Sequence, residues 1–231
     1  MLFDDKEEIQ LSESFSVAIV LAIAGGFLDA YTFICRGGVF ANAQTGNIVL
    51  LGMGLAVQNY ALVKSAISPI FAFMLGVFIA EFIKSKFKTP HDRPLHWRHG
   101  VLIIEIIILT IAAIIPIGEM NQLVNVMVSF VCSLQVQTFR TVHGNNFAST
   151  MCTGNLRSGT DALFKYMKTK KTEHIKKTAC YYGIIICFII GAIIGTIVSK
   201  RRPEFAVFIP VTIYIAAFIL MVKWDKILDR G

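Results

Sequence analysis

The chain has 231 residues, of which 55% are hydrophobic and 16% charged, and its formal net charge is +7. Soluble domains carry about 25% charged residues, so this balance excludes an ordinary soluble globule and predicts an all-α, polytopic membrane protein. The length leaves little room for a separate soluble domain, and 1–231 reads as a single membrane domain.

The chain opens on an acidic stretch, with Asp4, Asp5, Glu7, Glu8 and Glu13 set against Lys6. A secretory signal would open on positive charge and close on a small-residue cleavage site, so the first apolar segment is expected to be retained. Six segments are long enough to cross about 30 Å of hydrocarbon. They lie near 15–35, 65–86, 100–117, 121–139, 176–199 and 205–223. Two shorter elements, near 46–60 and 154–170, each begin at Thr-Gly-Asn. The first runs apolar only from Ile48 to Val57 before Gln58-Asn59, and the second is too polar to face lipid. Both are expected to be half-helices, interfacial helices or parts of a broken helix.

Basic residues cluster at Lys84–Arg98, Lys165–Lys177 and Lys223–Arg230. With six spans these clusters fall on one side together with the N-terminus, which makes that side cytoplasmic. Lys200, Arg201 and Arg202 run against the scheme. The positive charge reflects topogenesis and contact with anionic lipid, and no nucleic-acid partner is expected.

An internal echo organises the chain. Phe40-Ala41-Asn42-Ala43-Gln44-Thr45-Gly46-Asn47 returns as Phe147-Ala148-Ser149-Thr150-Met151-Cys152-Thr153-Gly154-Asn155. Each copy follows a Thr-Phe (Thr32-Phe33, Thr138-Phe139) and a loop glycine (Gly38, Gly144). Later matches pair Gly76 and Ala80 with Gly191 and Gly195, and Ile111-Ala112-Ala113 with Ile215-Ala216-Ala217. The expected architecture is two three-helix repeats, about 15–117 and 121–223, each with a broken or re-entrant element starting at Thr-Gly-Asn. An odd number of spans per repeat makes the two repeats inverted, and in transporters sites form where such repeats meet.

The candidate binding residues follow from this plan. A helix start buried in a membrane aims N–H groups and partial positive charge at what lies ahead of it. Asn42, Gln44, Thr45, Gly46, Asn47, Thr153, Gly154 and Asn155 would line such a site, with Asn145, Asn146 and Thr150 beside them. The alternative reading of Thr and Asn here is a plain helix cap. Asp29, inside the first span, has Gln135 as its repeat partner, and the pair suggests a polar interior face. The alternative for Asp29 is a carboxyl bonded to a neighbouring helix. Glu105 lies about one turn into the third span, as a proton site or at interface depth. Arg36, Arg140, Arg157 and Asp161 are vestibule or coupling candidates, with Arg157 and Asp161 spaced to pair on a helix. Glu81 and Lys84 have the spacing of a surface ion pair.

Cys35, Cys132, Cys152, Cys180 and Cys187 read as small buried hydrophobes. No cysteine pair has metal-ligand spacing, His143 has no partner at ligand spacing, and no metal or cofactor is expected. No catalytic constellation can be read, so an enzyme is not expected. The small faces at Gly76/Ala80 and Gly191/Gly195 serve internal packing first and a homo-oligomer contact second.

The run Gly25-Gly26-Phe27-Leu28-Asp29-Ala30-Tyr31-Thr32, followed by Arg36-Gly37-Gly38-Val39-Phe40-Ala41-Asn42-Ala43-Gln44-Thr45-Gly46-Asn47, resembles the YoaK-like family of bacterial membrane proteins. The resemblance covers nearly the whole chain and implies a multi-pass protein of the bacterial inner membrane. It carries no substrate and no residue roles. The three-plus-three plan is also similar to that of formate/nitrite channels and aquaporins, an analogy of fold alone. The leading expectation is a transporter or channel for a small polar or anionic solute. A non-transporting scaffold or sensor subunit is the alternative, and an intramembrane enzyme a weaker one.

Overall fold

The computed structural model describes residues 15–87, 97–142, 145–146 and 152–228. The described residues form eight α-helices. These are α1 (Phe15–Cys35), α2 (Gln44–Ala56), α3 (Tyr60–Phe87), α4 (Trp97–Ile114), α5 (Asn121–Thr138), α6 (Cys152–Thr169), α7 (Thr172–Arg201) and α8 (Phe208–Leu228). A two-residue ladder pairs β1 (Thr141–Val142) with β2 (Asn145–Asn146), and a 3-10 turn at Pro203–Phe205 leads into α8.

Boundaries follow local chemistry. α1 has the expected limits and ends where Gly37 and Gly38 take φ of +91° and +74°, a left-handed turn that suits glycine. The Gly38 N–H closes it by donating to the Phe33 carbonyl at 3.1 Å. α4 starts at Trp97, earlier than expected, and stops at Ile114 because Pro116 disfavours helix in the residue before it. Glu105 therefore sits near the middle of α4 rather than one turn in. The short helices each begin one residue before their Thr-Gly-Asn. Gln58 (φ 52°) and Lys170 (φ 55°) lie in the links that follow them. Asn59 then caps α3, its side chain accepting from the Leu62 N–H at 3.1 Å.

Five helices are long and apolar enough to cross a bilayer: α1, α3, α4, α7 and the Pro203–Lys223 stretch that contains most of α8. The expected fourth span, α5, is not among them. It has 18 residues, but Asn121, Gln122, Asn125, Ser129, Ser133, Gln135, Gln137 and Thr138 make it polar. Its environment accounts for this, because α5 packs against α1, α3 and α4. Polar side chains on such a helix find partners within the protein. For example, the Gln122 Nε2 donates to the Lys64 carbonyl at 2.9 Å and to Ser68 Oγ at 3.0 Å.

The main core joins α1, α4, α5 and α8 through Phe27, Leu28, Tyr31, Leu102, Leu109, Val128, Val131 and Tyr214. Large apolar side chains instead crowd the outside. Phe78 is 70% exposed, Phe71 61% and Ile186 56%. An apolar periphery of this extent is what lipid would cover.

The packing pairs have a regular pattern. α1 packs on α7 and α3 on α5; α2 on α3 and α6 on α7; α4 on α5 and α8 on α1; and α4 meets α8. Exchanging α1 to α4 for α5 to α8 leaves these pairs unchanged, whereas the smaller α3–α4 contact has no α7–α8 counterpart, α7 meeting instead the 3-10 turn ahead of α8. Small residues permit the two closest approaches. A Cβ on Gly26 would lie 2.0 Å from the Phe188 carbonyl oxygen, and one on Gly191 would lie 2.0 Å from that of Ile23. In the other pair, a Cβ on Gly76 would meet Ser133 Oγ at 1.8 Å. These glycines therefore serve helix contact within the chain.

Candidate functional site

Between α1 and α2 the backbone leaves helical form while buried, with Val39, Ala41 and Asn42 almost fully enclosed. Buried non-helical backbone needs hydrogen-bond partners within the protein. α1 and α5 supply them. The Asn42 N–H donates to Asp29 Oδ1 at 3.0 Å, and the Asn42 Nδ2 donates to the Gly25 carbonyl at 3.0 Å. The Ala41 N–H donates to Thr32 Oγ1 at 3.3 Å. The Ala41 carbonyl accepts from the Ser129 hydroxyl and, at 2.8 Å, from Gln44 Nε2. Gln44 in turn accepts from Asn47 Nδ2 at 3.0 Å.

Asp29 is thus a buried carboxyl bonded to a loop. Burial, and behind it the charge of Asp29, push the Cys152 thiol up to about 11. Cys152 is the first residue of α6, next to Thr153-Gly154-Asn155. Asp29 itself, on α1, holds the approach to the first Thr-Gly-Asn.

The two turns present corresponding faces. Asn47 and Asn155 are buried, at 1% and 2% exposure. Thr45, Gly46, Thr153 and Gly154 are exposed. Among the described residues, a Cβ on Gly46 or Gly154 would meet nothing within 4 Å, and neither glycine has a left-handed φ. Neither close packing nor backbone strain requires glycine there. Helix capping does not explain the first turn either, since the cap residue of α2 is Ala43 and makes no side-chain capping bond.

The remaining candidates separate. Gln135, expected to be the repeat partner of Asp29, is fully buried, accepts from the Tyr214 hydroxyl and donates to the Leu21 carbonyl at 3.4 Å. Glu105 is fully buried on α4. Arg36 lines no open vestibule: it is 2% exposed and turned into the α4–α5 turn. Its Nε donates to the Tyr31 hydroxyl at 2.6 Å, one terminal nitrogen to the Pro116 carbonyl at 2.8 Å and the other to the Ile115 carbonyl at 2.7 Å. Arg140 is exposed after α5. Arg157 and Asp161 lie exposed on α6 and away from the buried set, and Asp161 pairs with Lys165 at 2.7 Å instead of Arg157. Glu81 and Lys84 form the expected pair at 3.0 Å. Asn145 and Asn146 fall in the short ladder, whereas His143 and Thr150 lie outside the described residues.

Sequence reasoning missed Ser129, Thr32 and Tyr214. A tyrosine in the apolar run Ile213-Tyr214-Ile215 was the available signal for the last of these.

Replacing Asp29 should show how much the loop depends on it. Asp29→Ala leaves a buried N–H without an acceptor and is expected to cost about 1–3 kcal/mol. Asp29→Asn keeps an acceptor oxygen and should recover most of that loss. Melting of the detergent-solubilised variants measures the difference.

These features define an all-helical membrane protein with a buried, hydrogen-bonded loop ahead of α2 and a buried asparagine near the start of each short helix. Residues 17–220 match the family described as "Protein of unknown function (DUF1275)", and the chain belongs to that family. It is 24% identical over 202 residues to UPF0700 transmembrane protein YoaK of Bacillus subtilis (strain 168), over 84% of this chain and 88% of that protein. No solved structure matches the chain.

Proposed function

We propose that the protein is a transporter or channel for a small polar or anionic solute, with its site between the two Thr-Gly-Asn turns. The observation that carries this reading is the pair of unencumbered glycines, Gly46 and Gly154. Glycine in a helix costs about 1 kcal/mol relative to alanine, and here no packing or backbone conformation offsets it. What glycine does offer is bare backbone, and in the first turn of a helix that backbone displays N–H groups with partial positive charge. Asn47 and Asn155 add amides beside it, and Asp29 holds the approach to the first turn.

The exchange symmetry of the helix packing supports two repeats related by inversion, with α1, α3, α4, α5, α7 and α8 as six spans. α2 and α6 are then the broken elements. The basic clusters support a reading with both termini on the cytoplasmic face of the bacterial inner membrane. Arg36 is reassigned from vestibule to clamp, and no residue is given a catalytic role.

Proteoliposomes test the site with nitrate, acetate, glycerol and urea as probes. At least one should cross faster than in protein-free liposomes. Asn47→Ala and Asn155→Ala should each slow it by roughly fivefold, the effect of about one lost hydrogen bond. Wild-type flux in both variants would remove the turns from the pathway.

A scaffold or sensor subunit is the second reading. It is favoured by the way Thr32, Asn42, Gln44 and Ser129 use hydrogen bonds to hold the first loop in place. Absence of flux for every probe, with the variants folded, would favour it.

A further inference from the structure

The two short helices correspond in position but not in composition. α2 and the link after it, residues 44–59, contain no ionisable side chain, whereas 152–171 hold five basic residues to one acidic. The outward side of α2 is apolar, with Ile48, Val49, Met53 and Leu55 each more than half exposed, a surface suited to hydrocarbon. The outward side of α6 cannot go there whole, because charge is costly in hydrocarbon. Nor does water suit all of it, because Leu156, Phe164 and Met167 are also more than half exposed.

At about 100° per residue, the side chains of α6 sort into three sectors. Asn155, Gly159 and Ala162 share the buried side, the one packed on α7. That seat is close: a Cβ on Gly159 would lie 2.9 Å from the Tyr182 ring, and the Thr160 and Tyr182 hydroxyls are 3.0 Å apart. Leu156, Leu163, Phe164 and Met167 form the second sector, and Arg157, Asp161, Lys165 and Lys168 the third, which adjoins it. Lys168 Nζ lies over the Phe164 ring, 4.9 Å from its centre, and Lys170 Nζ lies 5.6 Å from that of Tyr166. Ammonium groups at the edge of an apolar sector match the level of headgroup phosphates. Lys165 and Lys177 are already matched by Asp161 and Glu173, each at 2.7 Å. Lys168, Lys170 and Lys171 have no carboxylate at ion-pair distance among the described residues.

We propose that α6 is an interfacial helix that docks anionic phospholipid. Its apolar sector lies among the acyl chains, and Lys168, Lys170 and Lys171 contact headgroup phosphates. A zwitterionic lipid satisfies the apolar sector but brings a cation with each phosphate, so the three lysines favour a headgroup of net negative charge. A soluble anion satisfies the lysines and leaves the apolar sector in water. The tight seat at Gly159 holds α6 against α7, so both sectors are presented in a fixed orientation. None of this rests on the transport reading, which concerns the start of the helix, whereas the three lysines lie at its other end.

Native mass spectrometry of the detergent-solubilised full chain, titrated with phosphatidylglycerol or phosphatidylcholine, reads the preference directly. The wild type should prefer phosphatidylglycerol. The joint variant Lys168→Gln, Lys170→Gln, Lys171→Gln should lower that preference by about fivefold for each lysine removed. Lys200→Gln, Arg201→Gln and Arg202→Gln together remove the same charge from the end of α7 and should leave it in place. Equal loss in both variants, or no preference in the wild type, would overturn the proposal. Depth is read in vesicles of phosphatidylcholine and phosphatidylglycerol with Phe164→Trp, against the wild-type tryptophan background. The added tryptophan should be quenched by chain-brominated phospholipid and shielded from iodide. Quenching by iodide instead places the sector in water, and quenching by neither means that protein covers it; either result ends the proposal.

Discussion

Gly191→Leu is expected to prevent α1 and α7 from seating against each other. A Cβ at this position would lie 2.0 Å from the Ile23 carbonyl oxygen and 2.9 Å from the Ile23 Cα, both backbone atoms of α1. A flexible side chain can turn aside, but a helix backbone moves only as a whole. The axes would have to separate, and the neighbouring contacts, Gly195 under the Phe27 carbonyl and Gly26 under that of Phe188, would loosen with them. Overpacking a tight site costs about 1–3 kcal/mol and sometimes more, and an obstruction by backbone belongs at or above the upper end. Gly52→Ala is the matched control, since a Cβ there meets nothing within 4 Å and alanine is the better helix former by about 1 kcal/mol. Thermal melting in detergent should drop sharply for the first variant and hold or rise for the second.

Arg36→Ala should be nearly as damaging. The guanidinium links the end of α1 to the α4–α5 turn through the carbonyls of Ile115 and Pro116, the Asn121 side chain at 3.2 Å and the Tyr31 hydroxyl. The same junction is tied from the other side, where Asn125 Nδ2 donates to the Arg36 carbonyl at 2.8 Å. Removing the guanidinium leaves several buried acceptors without donors, at an expected cost on the order of 3 kcal/mol. Lysine should recover only part of this, because an ammonium lacks the planar spread of donors that reaches two adjacent carbonyls and a phenol together. Melting temperatures of the alanine and lysine variants check both statements.

The parts of the fold that were legible in the sequence are those set by local pattern. α1 could be bounded because a continuous apolar run ends at Arg36-Gly37-Gly38. The two short helices could be found because Thr-Gly-Asn recurs, and Asp29 with Gln135 because polar side chains are costly inside a span. The Arg157–Asp161 pairing failed for a physical reason. Asp161 has two basic neighbours at four-residue spacing, and an acid placed N-terminal to its base, as with Lys165, has the better geometry and dipole alignment. α5 was legible as a helix of crossing length, but its polar residues keep it out of the helices that length and apolarity alone mark as spans. Arg36 was illegible in another sense. A charged residue at a helix end suggests an aqueous boundary, whereas its partners are carbonyls about eighty residues away in sequence. Tyr214 had the same difficulty, since a lone aromatic in an apolar run gives no hint that its hydroxyl meets a glutamine on another helix.

The pairing of α1 with α7 has a consequence for biosynthesis. α1 leaves the ribosome early, and the helix that fits its glycines begins roughly 140 residues later, a delay of about 10–30 s at ordinary elongation rates. During that interval the bare backbone at Gly26 lacks its partner on α7. Completion of the nascent chain, rather than insertion of its first segment, is then the step that commits the molecule to its final shape.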